Sequence, residues 1–291
     1  MIDGSHPRAL SPERSSAATH GSEVAAGRRF EFGANWSRFL QHLTDQRIGE
    51  AERSLRELLG SATLTGKTFL DIGSGSGLFS LAARRLGAHV TSVDFDPQSV
   101  GCTESLRARY FADDRDWRVA EGSVLDEAML ASLGEFDVVY SWGVLHHTGA
   151  MWQAIENAAR RVAPGGLFCI AIYNYQVYWS AYYTALKRGY VAAPRGLKWT
   201  ISGPYIVGQV LKGLAKDLLF LRNPMTRYRV KVHSRGMSMW YDWIDWIGGY
   251  PFEVARPEEV FEFVRTRGFS LERLTTCGGG HGCNEFLFRR G

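Results

Sequence analysis

The chain has 291 residues, is 45% hydrophobic and carries a formal net charge of +4. That is enough apolar material for one large core, or a core with a cap. It holds no run of roughly 18 or more apolar residues to make a spanning helix and no recognisable signal peptide. Cys102, Cys169, Cys277 and Cys283 form neither a Cys-x-x-Cys pair nor a zinc pattern, so reduced thiols in a cytoplasm and no metal site are expected.

Residues 1–28 are rich in Ser, Ala, Gly and charge, which predicts a mobile tail. A core segment is expected over residues 29–174. It opens with a helix carrying Trp36, Phe39, Leu40 and Leu43 at helical spacing. The run Phe69-Leu-Asp-Ile-Gly-Ser-Gly-Ser-Gly77 then ends an apolar strand in an acid and three glycines at alternate positions. It reads as a strand, a tight turn and a helix N-terminus, where glycine lets a ligand approach the main chain. A dinucleotide fingerprint would place its third glycine at 78, and that residue is Leu78.

Ala88 to Asp94 is a short β-branched strand ending in an acid. Asp94 falls about 20 residues beyond the glycines, where a doubly wound sheet delivers a carboxylate to a ribose. Asp96 is a rival for that role, although the Pro97 after it suits Asp96 to a helix N-cap. Trp117 to Ser123 reads as a third strand, Phe136-Asp-Val-Val-Tyr-Ser-Trp-Gly-Val-Leu-His-His147 as a fourth with its turn, and Arg161 to Ile172 as a helix end, a Pro-Gly-Gly turn and a fifth strand. Strands alternating with helices indicate a parallel α/β sheet with its ligand at the carboxyl ends of the strands.

These four motifs, in this order, resemble the class I S-adenosylmethionine (SAM) methyltransferases over roughly residues 66–174 and more loosely over 255–290. The resemblance implies a Rossmann-like, mostly parallel seven-stranded sheet closed by an antiparallel C-terminal hairpin, with a helical cap inserted after the fifth strand. It implies that Gly73, Ser74, Gly75 and Gly77 pass under the methionine part of the cofactor and that Asp71 faces its amino group. Asp94, with Phe95 beside it, meets the ribose. Ser123 and the Val124 amide serve the adenine, although many relatives carry Asp at the Ser123 position. Ser141 and Trp142 close the cofactor site at the end of the fourth strand. His146 and His147 follow near the methyl group, as candidate bases or as structural residues.

The segment 175–250 is expected to be the cap. Residues 175–235 hold eleven Lys and Arg and a single acid, Asp217, a local charge of +10. They are also rich in Tyr and Trp. Such a surface suits anionic lipid, a carboxylate- or phosphate-bearing small molecule, RNA, or a plain cap with solvated cations. Ile206 to Leu221 reads as an amphipathic helix too short and too charged to span a bilayer. Asp242 and Asp245, three apart, share a helix face. The core resumes over 251–291. Arg256-Pro-Glu-Glu opens a helix, and two strands flank Gly278-Gly-Gly-His-Gly282. That turn puts His281, a third candidate base, at the cofactor edge of the sheet.

The resulting expectation is a cytoplasmic SAM-dependent methyltransferase acting on a small apolar or anionic acceptor, with oxygen as the favoured atom. The basic cap adds a peripheral membrane contact. Carboxyl methylation, tRNA methylation and a catalytically silent SAM-binding or membrane-surface subunit are the alternatives.

Overall fold

A computed structural model describes residues 16–221, 223, 239–280 and 282–291. Three helices come first: α1 (Ser16–Ala25), α2 (Gly33–Gln41) and α3 (Asp45–Leu59). The alternating part follows as β1 (Thr68–Ile72), α4 (Leu78–Arg85), β2 (His89–Asp94), α5 (Pro97–Tyr110), β3 (Trp117–Glu121), α6 (Glu127–Ser132), β4 (Phe136–Trp142), α7 (Met151–Ala159) and β5 (Val162–Tyr173). The cap contributes α8 (Trp179–Ala192), α9 (Lys198–Leu219) and α10 (Met239–Gly248). Last come α11 (Pro257–Arg265), β6 (Phe269–Thr275) and β7 (Cys283–Arg290).

The seven strands form one sheet in the order β3-β2-β1-β4-β5-β7-β6, the seven-stranded sheet that the resemblance implies. β1 to β5 pair in parallel and β7 runs antiparallel to both neighbours. Side chains alternate across the sheet, so Leu70, Ile72, Val139 and Phe168 pack on one face with α7 and α11. Phe69, Val138, Tyr140 and Cys169 pack on the other face with α3 and α4. The Pro-Gly-Gly segment, expected as a turn, is absorbed into β5. Pairing jumps from Phe136↔Val162 to Val138↔Leu167, leaving Ala163 to Gly166 as an irregularity in the ladder.

Two expectations need correction. The predicted tail of 1–28 contains α1 from Ser16 onward, while residues 1–15 lie outside the described residues. One near and one distant partner hold this region. Arg29 Nε donates to Glu23 at 2.6 Å, and the buried His20 lies with its Nε2 3.8 Å from Asp96. The amphipathic helix read from Ile206 starts earlier, at Lys198, and carries Pro204 inside it. A proline there forfeits one backbone hydrogen bond, yet the helix continues through it. The cap has a small core of its own, Tyr190, Val191 and Ile247, joined by Phe30 from the N-terminal segment. No helix among the described residues is long and apolar enough to cross a membrane.

Candidate functional site

β1 and β4 are adjacent at the middle of the sheet, so their following connections leave in opposite directions. The crevice beyond their carboxyl ends is where open α/β sheets bind ligands. The glycine turn fills the β1 side. Gly77 caps α4 at φ +78°, and a Cβ there would lie 2.9 Å from the Thr103 Cα of α5. Gly75, at φ +55°, would press its Cβ on the Trp36 indole at 3.0 Å. The turn is therefore packed between α5 and α2, and only glycine fits both the backbone conformation and the gap. Ser74 adds a hydroxyl contact to Thr103 at 3.0 Å.

Asp71, 2% exposed, sits under this turn. A buried chain of donors ends on it. Trp117 Nε1 donates to Ser92 Oγ at 2.9 Å, and Ser80 donates to Asp71 Oδ2 at 2.5 Å. The Ser80–Ser92 contact of 2.7 Å joins the two, and Ser92 must be its donor because the Ser80 proton is already spent. Burial pushes the Asp71 carboxyl up to about 7, opposed by the Ser80 hydroxyl. A cation brought beside it would hold it ionised.

Asp94 ends β2 and faces the turn. Its Oδ2 accepts from the Gly75 amide at 2.8 Å and its Oδ1 from the Asp96 amide at 2.9 Å. Burial raises it to about 6, so it is mostly ionised at neutral pH. Asp96 is the N-cap of α5, as its Pro97 neighbour indicates, accepting from Gln98 N at 2.9 Å. It also accepts from the Gly33 amide at 2.8 Å, which ties α2 to α5.

Sequence reasoning missed the arm that covers this crevice. The Arg29 guanidinium lies 5.0 Å from the centroid of the Phe95 ring, and His20 meets that ring edge-on at 5.3 Å. Arg29 Nη1 donates to the His147 carbonyl at 2.9 Å. One arginine thus bridges the β2 and β4 sides of the crevice. Only its separation in sequence from both partners hid it.

The remaining predicted residues divide. Ser123 is half-buried, with its Oγ accepting from Leu125 N at 3.2 Å, and the buried Val124 takes Asn157 on its carbonyl. Trp142 is half-buried at the end of β4. Ser141 is fully buried and spends its hydroxyl on the Ile72 carbonyl at 2.9 Å, so it clamps β4 to β1 rather than presenting a polar group to the crevice.

The two histidines sit in a short 3₁₀ turn, Leu145–His147, after β4. His146 is fully buried. Its Nδ1 accepts from the Tyr173 amide at 3.4 Å, and its Nε2 has no hydrogen-bond partner among the described residues. Burial first, then the charges of His147 and Lys187, hold it well below the usual imidazole range, against a weak pull from the Ala171 carbonyl. His147 is half-buried and its Nδ1 bonds the Pro251 carbonyl at 2.6 Å. A carbonyl only accepts, so Nδ1 carries the proton and Nε2 keeps a lone pair. Burial and the Lys187 charge lower it to about 3. His281, the third candidate, lies outside the described residues, as do the side chains of Asp242 and Asp245. Among the described residues no group of three or more His, Cys, Asp or Glu is placed to hold a metal.

A doubly wound sheet with a glycine turn between two carboxylates at its switch point defines a nucleoside-binding α/β enzyme. A family model described as "Methyltransferase domain" matches residues 41–231, about two thirds of the chain. The chain belongs to this methyltransferase family. It is similar to the ubiquinone biosynthesis O-methyltransferase of Methylobacterium sp. (strain 4-46), 34% identical over 119 residues, 41% of this chain and 46% of that protein. The protein of the same name from Caulobacter sp. (strain K31) is 29% identical over 174 residues, 60% of this chain and 64% of that one. The chain thus spans about half to two thirds of the length of these relatives. The structure of PKMT2 from Rickettsia typhi in complex with AdoHcy shares the fold, with a TM-score of 0.54 at 13% identity over 83% of this chain and 52% of that one.

Beside this glycine turn, packed against Val144, Trp36 and Thr103, the crevice presents two carboxylates, the buried Asp71 and the half-buried Asp94.

Proposed function

We propose that the chain transfers a methyl group from SAM to an oxygen of a small-molecule acceptor. The observation that carries this is the meeting, at one sheet edge, of the Asp71–glycine–Asp94 crevice with a neutral, oriented His147. The names of the similar relatives support oxygen as the acceptor atom.

The cofactor supplies an electrophilic methyl group on a sulfonium. The chain's own work is to bind, align and exclude water. Asp71 pairs with the ammonium of the methionine part and Asp94 takes the ribose hydroxyls. Phe95, under Arg29 and His20, borders the adenine side with Ser123 and the Val124 amide. Trp36 covers the turn. A hydroxyl acceptor must also lose a proton. His147 suits that role through its Nε2 lone pair, whereas the enclosed His146 positions Tyr173 and His147. Its low basicity fits an acceptor whose proton is already acidic.

A membrane contact is a second part of this reading. Large exposed apolar residues gather on the cap, among them Tyr178 at 85%, Trp199 at 70%, Leu219 at 78% and Leu221 at 96% exposure. Cations accompany them, including Arg188, Lys212 and Lys216. An apolar, cationic surface suits an anionic bilayer that also stores apolar acceptors.

Methyl-labelled SAM incubated with the protein and an extract of its source cells tests the whole reading. Label is expected in lipid or small-molecule fractions, and Asp71→Asn is expected to abolish it. Label in RNA or in protein would replace the acceptor class. No label in any fraction, with SAM binding intact, would sink the catalytic reading.

A further inference from the structure

Residues 250–255 return the chain from α10 to α11, and they pass directly beside the two histidines. His147 Nδ1 donates to the Pro251 carbonyl at 2.6 Å, and the Glu253 amide donates to the His146 carbonyl at 2.9 Å. Two residues on, the Ala255 amide donates to the Tyr173 carbonyl at 3.0 Å. The Phe30 amide of the N-terminal arm donates to the Tyr250 carbonyl at 3.0 Å. This stretch is thus stitched to the turn after β4, to the end of β5 and to the arm.

The Glu253 side chain reaches past the histidine turn. Its carboxylate accepts from the Met151 amide, at 3.0 Å on Oε2 and 3.2 Å on Oε1, and from the Gly149 amide. Met151 is the first residue of α7, whose own N-cap, Ala150, has no side-chain acceptor to offer. A helix start leaves such amides unpaired and favours a negative charge beside them. Glu253, 102 positions further along the chain, supplies both the acceptor and the charge. Burial raises its carboxyl, and the two amides draw it back down.

The two ends of Glu253 therefore bracket the turn Leu145–His147. Its amide fixes the His146 carbonyl, and its carboxylate fixes the residues just after the turn. His147 lies between. The Phe32 and Tyr173 rings, each 5.5 Å from the imidazole centroid, wall it in without choosing a nitrogen. The Pro251 carbonyl makes that choice, and it sits two residues from the bracket.

We propose that Glu253 is a positioning residue for His147: by bracketing the turn it holds the Pro251 carbonyl on Nδ1 and keeps Nε2 free to take the acceptor's proton. The inference rests on the proposed role of His147 as base and names the residue that sets its tautomer. A loosened bracket lets the imidazole carry its proton on either nitrogen. A base whose lone pair is turned to Pro251 cannot serve the acceptor.

The test uses the full chain, isotope-labelled at its histidine nitrogens and saturated with S-adenosylhomocysteine, with His147→Gln to assign the signal. Proton–nitrogen correlation spectra at about pH 7 are expected to show His147 of wild type as a single Nδ1–H tautomer. Glu253→Ala should give a mixture of the two tautomers. Glu253→Gln, which keeps one oxygen for the Met151 amide, should stay close to wild type. S-adenosylhomocysteine affinity should hold within about twofold in each, because the crevice carboxylates and the glycine turn are left in place. Transfer of label from SAM to the acceptor fraction of a source-cell extract should fall about tenfold to a hundredfold in Glu253→Ala, as misplacement of a catalytic group causes. The fall in Glu253→Gln should be smaller.

A single Nδ1–H tautomer that persists in Glu253→Ala overturns the proposal, whatever happens to transfer. So does a wild-type His147 that carries its proton on Nε2 or on both nitrogens. Should Glu253→Ala lose S-adenosylhomocysteine through misfolding, Glu253→Asp, which withdraws the carboxylate by one methylene, takes its place with the same two readouts. A changed tautomer with unchanged transfer would instead remove His147 as the base. No transfer by wild type would sink the methyltransferase reading beneath both.

Discussion

Asp71 is a carboxyl whose ionised form is made costly by burial. Its folded-state pKa of about 7 stands above the ordinary value of 3.8. The folded chain therefore binds that proton more tightly than the unfolded chain does. The contribution to stability is complete below the ordinary value and is lost as the pH rises through about 7. Asp71→Asn keeps the shape and removes the buried charge. Without cofactor it is expected to melt a few degrees above wild type at about pH 8 and to lose that advantage at about pH 5. Its SAM affinity should fall by at least about tenfold, because an amide cannot pair with an ammonium. Differential scanning calorimetry and titration calorimetry check the two halves separately. A variant less stable than wild type at both pH values would show the Ser80 hydrogen bond to outweigh the buried charge.

Among the elements, the N-terminal arm is the one that sequence patterns hid. The glycine turn, the acid at Asp94 and the first five strands along the chain were legible because each is a local signature with a fixed spacing. The Asp96 cap was legible for the same reason, being written in Asp96 and Pro97 alone. The arm was not. Arg29 and His20 matter through Phe95, Asp96 and His147, which lie far along the chain. Lys187 was hidden in a different way. It is one of eleven cations in a segment whose charge suggests solvation, and burial is a property of the fold alone. Ser141 shows the converse. Its position at a strand end was legible, yet its hydroxyl is consumed by Ile72. Arg29→Ala should loosen the arm, since it removes both the Glu23 pair and the bond to the His147 carbonyl. Faster dissociation of S-adenosylhomocysteine, by about three- to tenfold, is expected in stopped-flow displacement, as loss of one or two charge-assisted bonds implies. An unchanged off-rate would show that the arm does not cover the cofactor.

At the scale of the molecule, a rigid seven-stranded body carries a cap whose outer side is apolar and cationic. A surface of this kind binds bilayers by two additive terms, apolar insertion and attraction to acidic headgroups. Co-sedimentation should be strong with vesicles containing about one third phosphatidylglycerol and weak with neutral ones. Raising salt should weaken it only in part, because insertion is not screened. Lys212→Glu with Lys216→Glu should abolish the headgroup term. Equal binding to neutral and acidic vesicles would remove the electrostatic half of this account.

The bridging arginine sets a sequence of events in time. Arg29 joins the Phe95 side of the crevice to the His147 carbonyl, and Trp36 lies on the Gly75 turn. On the proposed reading, a cofactor seated beneath them would leave only once both contacts loosen. A compulsory order is then expected, with SAM entering first and the demethylated cofactor departing last. Product inhibition should carry that signature: S-adenosylhomocysteine competes with SAM and shows mixed inhibition toward the acceptor. Should lifting of the arm be the slow step, a burst of methylated product is expected before the steady state in rapid-quench measurements.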